Sequence, residues 1–346
     1  MYLIIDGSSM LTTNYFGTLP RELVFAKTEE EKIALYPKIM QTSDGKYTNA
    51  VYTSLKQIFK MIQQQKPEGI VVVLDCTRNT FRREIYSEYK AQRSKTPAPL
   101  DEQFNTFAEV LSAIGIPVFY SNKYEADDLA GAIAKRLENA GKQCVLISGD
   151  KDYYQLVTSQ TSLWRIVPGH AKKKYEKVYG INFNQYTSDN NLPAGIFETK
   201  LGDKIMIEDS LANLSPEQFV DYLAVAGDKA DNIPGVHGVG SMTIIPLIQK
   251  YGSLEEIYKI IEEAEGNGES KQLATQWKTE LGIKSSPINA LLKNKQNAYL
   301  SQLLAKIKVD VDELPDNIHQ YDLAIDRSNL DKVLQDYEFV SLKNMI

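Results

Sequence analysis

Three stretches of the chain are apolar almost without interruption and end in aspartate: YLIID (Tyr2 to Asp6), GIVVVLD (Gly69 to Asp75) and QCVLISGD (Gln143 to Asp150). Short runs rich in Val, Ile and Leu are the pattern of parallel strands covered on both faces. A fourth run, IPVFYS (Ile116 to Ser121), has the same texture. Between them hydrophobic residues recur at helical spacing. Val51, Leu55, Ile58, Phe59 and Ile62 follow Asn49, then come Phe104, Phe107, Val110, Leu111 and Ile114, then Leu129, Ile133 and Leu137. The alternation predicts an α/β fold with a mostly parallel central sheet and flanking helices over residues 1–165.

Beyond that point the pattern becomes helical. SPEQFVDYLAVAGDKADNIPGVHGVGSMTIIPLIQKYGSLEEIYKII reads as helix, Gly-rich turn and helix, with Ser215 and Ser253 as caps. Glu262 to Ser270 is polar and contains glycine, so a mobile loop is expected there. The stretch from Leu314 to Phe339 leaves room for one short strand. Residues 17–43 stay unassigned, and 166–214 are an unassigned insertion between the core and a helical region expected over 215–346.

Composition narrows the classes. In 346 residues, 43% are hydrophobic and 24% charged, as in an ordinary globular protein. No apolar run approaches membrane-spanning length, and MYLIID meets Asp6 too soon for a signal segment, so a cytosolic location is expected. Cys76 and Cys144 each lie beside a strand-like run and read as reduced core residues. His170, His237 and His319 are the only histidines, and none accompanies a Ser or Cys as a nucleophile's partner would. A phosphoaspartyl phosphatase would need a second Asp two positions after Asp6, where this chain has Ser8.

The charge of −6 argues at first against a nucleic-acid partner. Its distribution changes that reading. YEADDLAG places Glu125, Asp127 and Asp128 ahead of a helix, GDKD places Asp150 and Asp152 at a strand end, and GDKAD places Asp228 and Asp231 before the Gly-rich turn. In α/β sheets ligands bind beyond the carboxyl ends of the strands, which is where Asp6, Asp75 and Asp150 point. Any one of these acids is more readily a cap or a solvated side chain. Together they form an oxygen-only donor set suited to a hard cation, Mg²⁺ or Mn²⁺.

Two basic or glycine-rich segments complement the acids. Arg78 to Lys95 carries six Lys/Arg against two Glu, interleaved with Phe81, Tyr86 and Tyr89. Such a segment offers cations to phosphates and ring faces to unstacked bases, or else is a solvated amphipathic helix. GVHGVGSMT, Gly235 to Thr243, could let backbone N–H groups approach a phosphate, or could be only a tight connection.

YEADD, SGDKDYYQLV, GDKADNIPGVHGVG and FRREIYSEYKAQR, in this order and spacing, resemble the 5′-nuclease family of flap endonucleases, bacteriophage 5′-exonucleases and the 5′-nuclease domain of bacterial DNA polymerase I. The resemblance implies a Mg²⁺-dependent 5′-3′ exonuclease and flap endonuclease of replication or repair. It acts on DNA with a 5′ end or flap, and on the RNA of RNA/DNA hybrids as a further substrate class. The implied protein is a monomer of the bacterial cytosol, host- or phage-encoded.

The resemblance assigns Asp6, Asp75, Glu125, Asp127 and Asp128 to one metal and Asp150, Asp152, Asp228 and Asp231 to a second. Arg82, Lys90 and Arg93 become catalytic cations of a helical arch over 78–124, with Tyr89 stacking a base and Arg83 on DNA. The turn over 235–243 becomes a helix-hairpin-helix-type duplex clamp, using Gly235, Gly238, Gly240, Ser241 and Thr243, where relatives also hold K⁺. Met242 stands where relatives carry Lys or Arg. The alternatives are a PIN-type RNA nuclease, with a smaller acidic site and no clamp turn, and a catalytically idle DNA-structure binding protein.

Overall fold

A computed structural model describes residues 1–346. Six strands form one sheet in the order β3-β2-β1-β4-β5-β6: β1 Tyr2–Asp6, β2 Gly69–Asp75, β3 Val118–Ser121, β4 Cys144–Ser148, β5 Thr161–Ile166 and β6 Ile196–Thr199. The first five are parallel and β6 is antiparallel to β5. Successive side chains of a strand point to opposite faces. Tyr2 and Ile4 of β1 therefore enter one core while Leu3 and Ile5 enter another. Buried on both faces, such a strand must be apolar throughout.

Helices α1 (Gly7–Gly17), α2 (Asn49–Gln65) and α3 (Ala98–Ala113) cover one face. Helix α4 (Ala126–Asn139) covers the other, with a helical body built from α5 (Pro216–Ala226), α6 (Ser241–Tyr251), α7 (Leu254–Gly266), α8 (Ser270–Leu281) and α9 (Lys295–Ala305). Both core faces of the sheet are thus closed to water. The carboxyl ends of its parallel strands remain as the open edge.

Several expectations change. Residues 166–214 are not a separate insertion, because β6 extends the core sheet and a two-stranded hairpin, β7 (Ile205–Ile207) and β8 (Ser210–Ala212), leads into α5. The expected mobile loop is the last five residues of α7, a three-residue connection and the first residue of α8. No strand forms between Leu314 and Phe339. Helix α10 (Arg327–Asp336) instead returns the chain to the core beneath α1, α2 and α3, where Leu330, Leu334, Phe339 and Leu342 are buried. The region 215–346 is therefore not wholly apart from the α/β core. Cys144 is buried as expected, but Cys76 is exposed, its thiol donating to the Ser121 carbonyl at 2.7 Å. No helix is long and apolar enough to cross a membrane.

Candidate active site

Asp6 ends the central strand and caps α1. One carboxylate oxygen accepts from the Ser9 N–H at 2.8 Å and the other from the Ser148 hydroxyl at 2.7 Å. Burial, with Asp75 and Asp150 nearby, pushes this carboxyl up to about 7. Asp75, at the end of neighbouring β2, accepts from the Ala126 N–H at 2.9 Å, at the first residue of α4. On the other side of β1, Asp150 caps the 3₁₀ turn Lys151–Leu156 by accepting from the Asp152 N–H at 3.0 Å. Burial and the neighbouring Asp150 push Asp152 well above the usual carboxylate range. Its Oδ1 is buried and has no hydrogen-bond partner. Burial and the adjacent Asp128 likewise hold Asp127 well above that range. None of these five acids, Asp6, Asp75, Asp127, Asp150 and Asp152, forms an ion pair with a Lys or Arg.

The other four are paired. Arg82 meets Asp128 through two bonds of 2.7 Å, and both residues are buried. The N–H groups of Glu125 (3.1 Å) and Lys308 (2.7 Å) take the remaining acceptor directions of Asp128, one on each oxygen. Lys90 reaches Glu125 at 2.6 Å and Asp231 at 3.6 Å, and Arg93 reaches Asp231 at 2.5 Å. Lys151, between the two acids of GDKD, binds Asp228 at 2.8 Å. Burial works against the charged form of Glu125, but Lys90 and Arg82 outweigh it and hold its pKa below the ordinary value. The same balance, struck by Lys151, lowers that of Asp228.

These contacts correct four of the expected roles. Asp128 has no lone pair left for a metal, so it leaves the donor set. Arg82 spends its donors on Asp128 and on the carbonyls of Leu304 and Lys306, and does not face a substrate. The Tyr89 ring is 3% exposed, its hydroxyl donating to Glu125 at 3.1 Å, so it offers no face for a base. Gly235 lies inside, with φ +61 and its N–H on the Ser301 hydroxyl at 2.9 Å; a Cβ there would sit 2.6 Å from the Gly227 nitrogen. The remaining turn residues divide. Gly238, Gly240 and Met242 are exposed and Thr243 is half-buried, whereas Ser241 is buried and donates to Glu208 Oε1 at 2.5 Å. Arg83 keeps no carboxylate partner, bonding Asn79 at 3.3 Å.

The sequence did not single out Lys151 or Tyr153. Lys151 was signalled by its place between two aspartates. Tyr153, buried with an unpartnered hydroxyl, feels the charges of Asp6, Asp127, Asp75 and Asp150, and nothing in its sequence context marks it. No three His, Cys, Asp or Glu side chains converge closely enough to ligate one ion directly. Oxygen donors without His or Cys, one of them a buried orphan, fit a hard divalent cation held in part through water.

Comparison with known proteins finds relatives for both halves of the chain. Residues 1–184 match the family described as 5′-3′ exonuclease, N-terminal resolvase-like domain, and residues 214–329 match 5′-3′ exonuclease, C-terminal SAM fold. A 5′-3′ exonuclease of Aquifex aeolicus is 30% identical over 99% of this chain and 93% of its own length. DNA polymerase I of Streptococcus pneumoniae is 31% identical over 99% of this chain, which spans 32% of that protein. In fold the chain is similar to bacteriophage T5 5′-exonuclease, with a TM-score of 0.55 at 22% identity, covering 99% of this chain and 100% of the other. Both halves of the chain match models of one family, and the protein belongs to the 5′-3′ exonuclease family.

Proposed function

We propose that this nuclease hydrolyses phosphodiesters of DNA at a 5′ end or 5′ flap, with Mg²⁺ or Mn²⁺ as the cofactor. The observation that carries this reading is the group of five carboxylates without a cationic partner at the open edge of the sheet. Burial among like charges raises the pKa of Asp6, Asp127 and Asp152, and a divalent cation would relieve that cost. Asp6, Asp75, Asp127, Asp150 and Asp152 would hold such ions, partly through water, with Asp228 and Asp231 joining once their lysine and arginine partners move away. When bound, the metal supplies a water acidic enough to attack the phosphorus at neutral pH.

The chain's own residues prepare the rest. Lys90 and Arg93 neutralise Glu125 and Asp231 in the free protein, so their charges already stand beside the acidic group. A phosphodiester entering there meets two cations that can turn from carboxylate to phosphate and stabilise charge developing in the transition state. The Lys90 backbone is pinned, its N–H donating to the Asp231 carbonyl at 2.9 Å, so only the side chain need move. K⁺ at the Gly-rich turn, action on RNA/DNA hybrids, a monomeric state and a cytoplasmic setting belong to the same reading. It is supported by relatives described as 5′-3′ exonucleases and by a T5 flap endonuclease structure described as a complex with DNA and metal ions.

Incubating the purified protein with a 5′-flap DNA, with and without Mg²⁺, tests it. Metal-dependent release of the flap with a 5′-phosphate on the downstream strand is the expected result. Binding without cleavage at any divalent metal would leave the idle DNA-binding reading instead.

A further inference from the structure

The basic segment 78–95 is less available to a nucleic acid than its composition suggests. Arg82 is committed to Asp128, Lys90 and Arg93 stand at the acidic group where the reacting phosphate would enter, and Arg78 bonds the carbonyls of Arg93 and Ser94. The clamp turn has no cation of its own, since Met242 is 85% exposed at its tip. A nuclease gripping duplex DNA needs cationic contacts with phosphates. The structure offers them on the eight-residue helix Lys172–Tyr179, which begins with the only three consecutive cations in the chain.

The placement of this helix is specific. It follows β5, whose carboxyl end lies on the same edge as those of β1, β2 and β4 because all four are parallel. Arg165, one residue before that end, bonds the Gly149 carbonyl at 2.8 Å beside Asp150. Tyr175 anchors the inner face of the helix in a cluster with Val167, Phe183 and Phe197. At 100° per residue, Lys173 and Lys177 lie on the side away from Tyr175. Both are exposed and neither has a carboxylate partner. Like charges four apart repel each other on a helix, which an anion on that face would offset.

A two-residue hairpin turn joins this helix to the clamp. Asp209 binds Lys174 at 2.9 Å and its neighbour Glu208, with φ +54, accepts from Ser241 at 2.5 Å. The lysine helix and the turn Gly238–Thr243 are thereby both tied to the same hairpin. We infer that Lys173 and Lys177 contact the phosphate backbone of the duplex arm, supplying the cations that the clamp turn lacks at Met242. This inference rests on the nuclease reading above.

The test is the salt dependence of binding to two DNAs, a plain duplex and a single strand of the flap sequence, for the wild type and the Lys173→Gln/Lys177→Gln double variant. Two lost phosphate contacts should make the slope of log K against log salt shallower by about 1.8 on the duplex, or about 12-fold less loss of binding between 50 and 200 mM salt. The single-strand slope should not change. Met242→Lys placed in the double variant should restore about 0.9 of the lost slope. An unchanged duplex slope overturns the inference, as does an equal fall on both DNAs, which would make the helix a general polyanion surface. A wild type that binds neither DNA sinks the nuclease reading itself and this inference with it.

Discussion

Asp127 and Asp128 are adjacent in sequence, identical in chemistry and opposite in fate. Asp128 faces inward onto Arg82 and spends every lone pair on guanidinium and backbone N–H groups. Asp127, turned about 100° around the helix, forms no ion pair, and burial beside its neighbour holds its pKa well above the usual carboxylate range. The contrast extends across the site. Glu125, Asp128, Asp228 and Asp231 have Lys or Arg partners, while Asp6, Asp75, Asp127, Asp150 and Asp152 have none. The paired half is assembled by folding. The unpaired half stores repulsion that a metal ion can discharge, so the two halves should respond oppositely to the loss of a charge.

Neutralising the adjacent pair one at a time gives the largest difference. Asp128→Asn leaves the Arg82 guanidinium buried without a counter-charge, and unfolding in urea should show a loss of about 3–5 kcal/mol. Asp127→Asn should melt no earlier than the wild type and yet cleave at least about 100-fold more slowly, because a charged oxygen has left the donor set. If both substitutions destabilise alike, the division into halves fails.

Asp6→Asn sharpens the same point through pH. The Asp6 pKa rises from 3.8 unfolded to about 7 folded, so the native state holds a proton that the unfolded chain releases between those values. Stability from this group is therefore lost as pH rises from about 4 to 7, by up to about 4 kcal/mol in metal-free protein. Asn does not titrate. The variant should gain stability over the wild type at pH 8 in EDTA, and the gain should vanish near pH 4.

Lys90→Ala probes the paired half during turnover. Its single-turnover rate should fall about 100-fold, with a much smaller change in DNA affinity, if the ammonium turns to the phosphate in the transition state. Equal losses in rate and affinity would leave Lys90 as a positioning contact.

The smallest expected effect is at Tyr153. Its buried hydroxyl has no partner, so Tyr153→Phe should stabilise the metal-free protein by about 1 kcal/mol, read as a higher Tm in EDTA. A lower Tm would show that the hydroxyl bonds within the acidic group and belongs with the paired half.

The sequence was sufficient for the parallel strands and for where their aspartates would gather. Strand β1 and strand β2 occupy the residues their apolar runs marked, because a strand buried on both faces must be apolar at every position. The short strands β6, β7 and β8 left no such trace. They run three or four residues, and pairing with distant partners rather than local pattern defines them. Helix α10 escaped for a similar reason, since its apolar stripe is narrow and its burial depends on a core formed by the first third of the chain.

At the site, sequence specified which acids and bases were present and roughly where, but not their pairing. Motif spacing carried Asp128 and Asp127 together as metal ligands, and Arg82, Lys90 and Arg93 together as substrate cations. Side-chain direction and burial, set by how α4 packs on the segment 78–95 and on residues 304–308, then divided them. Coulombic pairing depends on separations of a few ångströms and on exclusion of water, and both are properties of the folded surroundings. The sequence therefore determined that opposite charges would meet at this edge of the sheet, and the tertiary structure decided which carboxylates were left without a partner.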